Sequence, residues 1–216
     1  LAINLEGNKE VLGMWSSENE GSRFWLSVAT ELRNRGLNDI FICCVDGLSG
    51  FGPALEAVYP NCRIQRCIVH QLRNSLRFVG WKERKAVASQ LRRIYTAPTA
   101  QAAKTALEDF RAVHDARYPA IGKSWEANWH ELTPFFDYPP EIRRIIYTTN
   151  AIESLNSSFR KISRHRNLFP TVESLYKLFY LSLKNISARW TRPVNQWRDA
   201  LNRFQIEFGD RMPPSL

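Results

Sequence analysis

Short apolar runs alternate with amphipathic stretches over the first 80 residues, and this order constrains the fold more than any other feature of the sequence. Strand patterns occur in LAINLEGNKEVLGMW, which turns at Gly7-Asn8, in NDIFICCVDG and in CRIQRCIVH. Helix patterns occur in SRFWLSVATELRNRG, with Gly36 placed to end the helix, in FGPALEAVYP and in QLRNSLRFV. NDIFICCVDG is continuously apolar, which is typical of a strand buried on both faces. Alternating strands and helices predict an α/β fold, in which helices pack on a mixed sheet.

Residues 81–137 differ from the segments around them, because every periodic pattern in this stretch is helical. The patterns are KERKAVASQLRRIY, TAQAAKTALEDFRAVHDARY and AIGKSWEANWHELTPFF, with prolines between them. We interpret residues 81–137 as an all-α insertion between residues 1–80 and residues 138–216, with DYPPEIRR as the returning linker. Two amphipathic helices follow in the last segment, around Leu175 and Leu201, and their apolar stripes are typical of core positions.

The positive charge of the chain is unevenly distributed. The net charge is +9, and residues 141–216 carry 13 Lys and Arg against 6 Asp and Glu, whereas residues 1–140 carry 17 against 15. This surplus indicates a polyanionic partner, with a merely solvated basic face as the alternative. No apolar run reaches the ~20 residues of a membrane span, so we expect no membrane partner. Four cysteines are too few for a secreted disulfide scaffold, which favours a reducing cytoplasm.

Two carboxylates are candidate ligands for a metal ion. Asp46 ends the apolar run NDIFICCVDG, and ligands of open α/β sheets bind at the carboxyl ends of strands. The alternative is that Asp46 and Gly47 form a turn that caps the next helix. Glu153 is the one acidic residue in TTNAIESLNSSFRKISRHR, and it follows Asn150 at the spacing of a capping box, worth roughly 0.5–2 kcal/mol. Glu153 is therefore a helix-capping residue, a metal ligand, or both.

Cys67-x-x-His70 has the ligand types of half a zinc site. A structural zinc site needs four ligands, and no second pair stands at a matching spacing. We therefore expect Cys67 to pack in the sheet and His70 to lie at a strand end near Asp46.

The densest group of cations follows Glu153 and has no aromatic interleaving of the kind that stacks on single strands. It consists of Arg160, Lys161, Arg164 and Arg166. Small hydroxyl residues precede these cations, a combination that suits contacts with phosphate, which dominate affinity for nucleic acid. A second basic face is expected near Arg73 and Arg77.

Several long motifs resemble the C-terminal part of Mutator-type bacterial insertion-sequence transposases. They are CVDGLSGF, RCIVHQLRNSL, WKERKAV, FFDYPPEIRRIIYTTNAIESLN and FGDRM, and the resemblance runs from about Leu1 to Met212. It implies an RNase H-like catalytic domain, interrupted by the helical insertion, that uses an Asp-Asp-Glu triad with Mg²⁺, or with Mn²⁺ in its place. Asp46 matches the second Asp of that triad and Glu153 matches its Glu, so we expect the two carboxylates to lie close together.

The same resemblance implies roles for the remaining candidates. Cys67 and His70 match the C-x-x-H signature of the family, and Asn150 belongs to its TTNAIESLN motif. His70, Arg73 and the cations that follow Glu153 are expected to contact DNA. The implied partner is double-stranded DNA, as transposon ends and as target, bound by a homo-oligomer of the full-length protein in the nucleoid.

The sequence also departs from the family pattern. The first Asp of the triad lies on the strand before the one that begins at Leu1, and no acidic residue before Glu6 replaces it. We therefore expect this chain to be part of a longer transposase and to be inactive alone. Two alternatives stay open, a nucleic-acid-binding module without catalysis and a metal-dependent nuclease without strand transfer.

Overall fold

A computed structural model describes residues 1–47, 50–148, 151–164 and 171–213. The chain forms two compact units, one of residues 17–143 and the other of residues 1–16 and 144–216. It is a mixed α/β protein that is mostly helical, with small sheets. The division into residues 1–80, 81–137 and 138–216 stays a prediction.

Short strands occur only before residue 67 in the described part of the chain, and helices make up most of the remainder. The strands are β1 (Ala2–Ile3), β2 (Lys9–Glu10), β3 (Ile42–Val45) and β4 (Arg63–Arg66). The helices are α1 (Ser22–Asn34), α2 (Phe51–Val58), α3 (Ile68–Arg77), α4 (Arg84–Tyr95), α5 (Ala100–His114), α6 (Pro119–Ala127), α7 (Trp129–Leu132), α8 (Pro140–Thr148), α9 (Ala151–Arg164), α10 (Val172–Ser187) and α11 (Trp197–Phe208). Short 3₁₀ helices span Pro134–Asp137 and Gly209–Arg211.

The two strands beside Asp46 pair in parallel. β3 and β4 are aligned with Ile42 opposite Arg63 and Val45 opposite Arg66. The last bond of this ladder runs from the Cys67 amide to the Val45 carbonyl, at 2.7 Å, and the Cys67 carbonyl already accepts the Gln71 amide at 3.0 Å. The prediction of a strand through CRIQRCIVH is therefore wrong at its end, because the chain turns into α3 at Cys67 rather than continuing in the sheet.

One face of β3 packs against α1 and α2. Cys43 lies on a cluster formed by Ala29, Leu55 and Tyr59, whereas Cys44, on the opposite face, is exposed. The prediction of a strand buried on both faces is wrong, because Cys44 is exposed. Gly36 adopts a φ of +97° just beyond α1, as expected of a residue that ends a helix.

The stretch of residues 81–137 is helical throughout, as its periodicity predicts. Leu91, Leu107 and Trp125 are fully buried where α4, α5 and α6 pack together. The end of this stretch returns to β4, because the buried side chain of Gln65 donates to the Leu132 carbonyl at 3.0 Å and accepts from the Phe135 amide at 2.9 Å. These bonds fix the helical segment against the strand beside Asp46.

The segment DYPPEIRR is helical from Pro140 onward, where α8 begins, and its role as the returning linker stays a prediction. Proline suits the first position of a helix, since its fixed φ is helical and the amide that it lacks has no partner there.

In the other unit, β1 and β2 form an antiparallel hairpin against which α11 packs. Gly7 turns the hairpin with a φ of +83°, and a Cβ at this position would lie 2.3 Å from the Trp197 ring. The Trp197 indole nitrogen donates to the Leu5 carbonyl at 2.8 Å. In the same unit, Phe159 of α9 stacks on Phe179 of α10, with ring centroids 4.5 Å apart.

Candidate functional site

Asp46 and His70 meet at the carboxyl ends of the parallel strands. Asp46 directly follows β3, and its side chain is 52% exposed. α3 begins one residue after Cys67, so the first turn of this helix places His70 Nδ1 3.3 Å from Asp46 Oδ2. The parallel register is the cause of this proximity, because it aligns the ends of β3 and β4 at one edge. The two side chains thus form an accessible carboxylate–imidazole pair.

A second charged pair, which the sequence did not reveal, lies beside Asp46. Arg66 Nη1 is 2.5 Å from Glu131 Oε2 of α7, and the Arg66 side chain is mostly buried. The Arg66 guanidinium lies against Gly47, where a Cβ would be 2.3 Å from Arg66 Cζ. Arg66 precedes the Cys67-x-x-His70 motif on β4, which is the sequence signal that could have identified it. Because Glu131 engages Nη1, a phosphate at this position would be bound by the remaining N–H groups of the guanidinium.

α3 presents further cations along the face that carries His70. Arg73 and Arg77 follow His70 by three and seven residues, which is the spacing of neighbours on one side of a helix. Both arginines are exposed. This face can follow a phosphate backbone away from Asp46.

Only some of the side chains at the site are of the type that a hard cation such as Mg²⁺ prefers. Within residues 1–47, 50–148, 151–164 and 171–213, no group of three or more His, Cys, Asp and Glu side chains is placed to hold a metal ion. Asp46 supplies the carboxylate oxygen that Mg²⁺ prefers, and Mg²⁺ commonly keeps several waters and takes only one or two carboxylates. Asp46 therefore fits as one ligand of a site that needs a further carboxylate.

Glu153 lies in the first turn of α9. Its side chain and the whole of Asn150 lie outside what the structure describes, so the capping box stays a prediction. Asp46 belongs to the unit of residues 17–143 and Glu153 to the other unit, and their proximity likewise stays a prediction.

The basic cluster after Glu153 is described in part. Arg160 and Lys161 are exposed on α9. Arg164 is the last residue of that helix, and its side chain is not described; Arg166 lies outside the described residues. Cys67 borders α3 rather than packing within the sheet. Among the residues that the structure describes, it belongs to no group of three or more side chains placed to hold a metal ion.

The site combines an accessible carboxylate with exposed cations, a combination compatible with a phosphate-rich partner. The family model described as "Transposase, Mutator family" matches residues 1–193. The chain belongs to the Mutator family of transposases. This bears out the resemblance carried by the sequence motifs.

Curated relatives agree with this family. A transposase for insertion sequence element ISRM3 from Rhizobium meliloti (strain 1021) is 48% identical over 212 residues, which is 98% of this chain and 53% of the relative. A probable insertion-sequence transposase from Corynebacterium diphtheriae is 39% identical over 236 residues, covering 100% of this chain and 69% of the relative. The transposase for IS905 from Lactococcus lactis subsp. lactis (strain IL1403) is 34% identical over 196 residues, 91% of this chain and 50% of the relative. The chain thus spans about half the length of most of these relatives.

Helices that could cross a membrane are absent from the part of the chain that the structure describes, since none combines sufficient length with sufficient apolar character.

Proposed function

We propose that this chain carries part of the catalytic centre of a DNA transposase that cleaves phosphodiesters and transfers strands at insertion-sequence ends. The observation that carries the proposal is the family match over residues 1–193, within which Asp46 stands exposed at the carboxyl edge of β3 and β4. An RNase H-like core is part of the proposal, since the parallel β3–β4 pair with α1 and α2 on one face is compatible with it.

In the proposed reaction, a water molecule attacks a phosphodiester at the transposon end and releases a 3′-hydroxyl. The oxygen of that hydroxyl then attacks a phosphodiester of the target DNA, forming the new bond as the target strand breaks. Mg²⁺ or Mn²⁺ ions held by Asp46 and Glu153 would activate the attacking oxygen and stabilise the leaving oxygen. Both residues are members of the Asp-Asp-Glu triad in this proposal.

The remaining residues of the site have supporting roles in this proposal. His70, at 3.3 Å, orients the Asp46 carboxylate. Arg66, fixed by Glu131, contacts the phosphate that reacts, and Arg73 of α3 contacts a phosphate farther along the strand. The exposed cations of α9 bind the backbone of the same duplex, within a homo-oligomer that acts on chromosomal DNA in the cytoplasm.

A strand-transfer assay tests the proposal. The chain is joined to the part of the Rhizobium meliloti relative that it does not cover, and the fusion is incubated with a labelled insertion-sequence end and a target plasmid. We expect cleaved and joined products with Mg²⁺ and none with EDTA. Asp46→Asn and Glu153→Gln each abolish both products, whereas Glu108→Gln, an exposed carboxylate on α5, is the matched control and changes neither.

The same assay distinguishes the other two functions. Cleavage without joined product would make the protein a metal-dependent nuclease. Binding of the DNA without any metal-dependent cleavage would make it a nucleic-acid-binding module. If cleavage persists in Glu153→Gln, Glu153 is a helix-capping residue and not a metal ligand.

A further inference from the structure

Two aromatic side chains project into solvent where α3 ends. Phe78 is 64% exposed and Trp81 is 84% exposed, the largest exposed fraction of any large apolar side chain in the described part of the chain. Aromatic side chains of this size normally bury most of their surface, and an exposed pair indicates a surface that binds a partner. The sequence alone does not single out these residues, because WKERKAV and LRFV are also compatible with ordinary core packing.

The loop that carries the two rings is anchored on both sides. Val79, between them, is buried at 3% exposure, and its carbonyl accepts the Arg84 Nε at 3.1 Å. Glu83, the residue before α4, accepts hydrogen bonds from Arg117 and from the Tyr118 hydroxyl, which attach it to the turn between α5 and α6. The backbone around Phe78 and Trp81 is therefore fixed while their side chains stay outside the core.

Cations surround the two rings. Arg77, Lys82, Arg84 and Lys85 are exposed along the same short segment. Glu83, the one acidic residue between Phe78 and Lys85, forms an ion pair with Arg117 and so does not offset their charge. A positively charged surface with projecting aromatic rings fits unpaired nucleic-acid bases, which stack on the rings while cations bind the backbone. An apolar protein partner would offer these cations no negatively charged groups to pair with.

The position of the rings relative to Asp46 is set by α3. This helix starts beside Asp46 with His70 in its first turn and ends at Arg77, directly before Phe78. Eight residues separate His70 from Phe78, which corresponds to about 12 Å at the ~1.5 Å rise of a helix. Counted along the axis of the paired duplex, one DNA strand covers that distance in about three to four nucleotides at ~3.4 Å each.

We propose that Phe78 and Trp81 form a stacking platform for unpaired DNA bases, about three to four nucleotides from the phosphodiester that lies at Asp46. This inference rests on the proposed function for the position of the DNA, and it adds that the bound duplex is opened near the reacting bond. The exposed cations Arg77 and Lys82 bind the DNA backbone beside the platform, whether the bases there are paired or not.

Fluorescence anisotropy of this chain with three labelled DNAs of equal length tests the platform. The DNAs are a fully paired duplex, the same duplex with a four-nucleotide mismatched bubble, and the single strand. We expect tighter binding to the bubble and to the single strand than to the paired duplex. Trp81→Ala should weaken binding to the two unpaired DNAs about 5- to 150-fold while leaving the paired duplex nearly unchanged. Trp81→Phe, which keeps a ring, retains most of the preference.

Two controls separate stacking from charge and from general apolar loss. Arg77→Ala with Lys82→Ala weakens binding to all three DNAs alike and reduces its dependence on salt. Ile206→Ala truncates a side chain that is 71% exposed on α11 and leaves all three affinities unchanged. As an independent readout, 5-bromouracil placed in the bubble should photocrosslink to Trp81, as mapped by mass spectrometry.

Several results would overturn the platform. Equal affinity of the unsubstituted chain for paired and unpaired DNA is one, and equal loss on all three DNAs in Trp81→Ala is another. If Trp81→Ala instead converts a dimer into a monomer, the two rings bind a second copy of the chain rather than DNA. Failure of the chain to bind any DNA contradicts the proposed function as well, whereas loss of the preference alone contradicts only the platform.

Discussion

His70 Nδ1 lies 3.3 Å from Asp46 Oδ2, although the two residues belong to different strand–helix units of the sequence. The parallel register of β3 and β4 and the immediate start of α3 after Cys67 bring them together. The imidazole orients the Asp46 carboxylate from one side, and about half of the Asp46 side chain is accessible to solvent. That arrangement suits a metal ligand better than a buried structural ion pair.

Replacement of His70 tests this orienting role. We expect His70→Ala to lower the rate of cleavage by the strand-transfer fusion about 10- to 100-fold, the usual effect of removing a partner that orients a ligand. His70→Asn keeps a side-chain donor and should recover part of the rate. The affinity for DNA, measured by anisotropy, stays within about twofold of the unsubstituted fusion, since phosphate contacts by other cations supply most of it. Equal losses of rate and DNA affinity in His70→Ala would instead make His70 a DNA contact.

Gly47 and Gly36 form a matched pair for testing the position of Arg66. Both have positive φ, +80° and +97°, so alanine at either position should destabilise the fold by about 1–2 kcal/mol. A Cβ at Gly47 also displaces the Arg66 guanidinium, whereas a Cβ at Gly36 meets nothing within 4 Å. We therefore expect a loss in urea denaturation for both variants, at least as large in Gly47→Ala as in Gly36→Ala, and a loss of cleavage only in Gly47→Ala. Equal cleavage by the two variants would show that Arg66 has no role in the reaction.

Ser75 connects α3 to the helical segment through a buried hydrogen bond. The Trp125 indole nitrogen donates to Ser75 Oγ at 2.9 Å, and both residues are buried. Ser75→Ala leaves that donor without its partner and should lower the free energy of unfolding by about 1–3 kcal/mol. Ser89→Ala, at an exposed position on α4, should have little effect. A difference below about 0.5 kcal/mol, roughly half the usual net worth of one hydrogen bond, would contradict this role.

Glu126 makes the stability of the helical segment dependent on pH. A hydrogen bond from Lys104, whose Nζ lies 3.2 Å from Glu126 Oε1, and the charge of Arg111 hold the pKa of Glu126 below its ordinary value. A carboxyl with a lowered pKa in the folded state stabilises it above the unfolded pKa of about 4.3, and that contribution is lost as the pH falls through the folded pKa. The Tm difference between the unsubstituted chain and Glu126→Gln should therefore be present at neutral pH and vanish in acid. A Tm difference that persists in acid would show that Glu126 stabilises the fold through something other than its negative charge.

The exposed cations of α9 are expected to bind DNA through charge alone. Replacing Arg160 and Lys161 together by Ala should flatten the plot of log affinity against log salt by ~0.9 for each phosphate that these side chains no longer neutralise. Arg192→Ala with Arg198→Ala removes the same charge from exposed positions elsewhere and provides the control. A slope that changes equally in both double variants would indicate a general effect of net charge rather than binding by α9.

Periodicity predicted the described helices well, because amphipathic stripes such as that of α5 are local properties of the sequence. It did not predict where a strand becomes a helix, as at Cys67, since the end of the β3–β4 ladder depends on a partner distant in sequence. The interpretation of DYPPEIRR as a returning linker did not include a helix, yet α8 begins at Pro140, because proline suits the first position of a helix. The position of Asp46 at the end of a strand pattern was enough to identify it as a candidate site residue. The Arg66–Glu131 ion pair and the exposure of Trp81 could not be predicted from the sequence, because both depend on tertiary packing.

Iron-mediated cleavage of the protein backbone tests most directly whether Asp46 and Glu153 share metal ions. Fe²⁺ is bound in place of Mg²⁺, ascorbate and peroxide generate radicals that cut the peptide chain near the ion, and mass spectrometry maps the cuts. We expect cuts beside both Asp46 and Glu153, and we expect excess Mg²⁺ to suppress them. Either Asp46→Asn or Glu153→Gln should abolish the cuts at both positions, while Glu108→Gln leaves them unchanged. Cuts beside only one of the two carboxylates, or cuts at one that survive substitution of the other, would contradict a shared site.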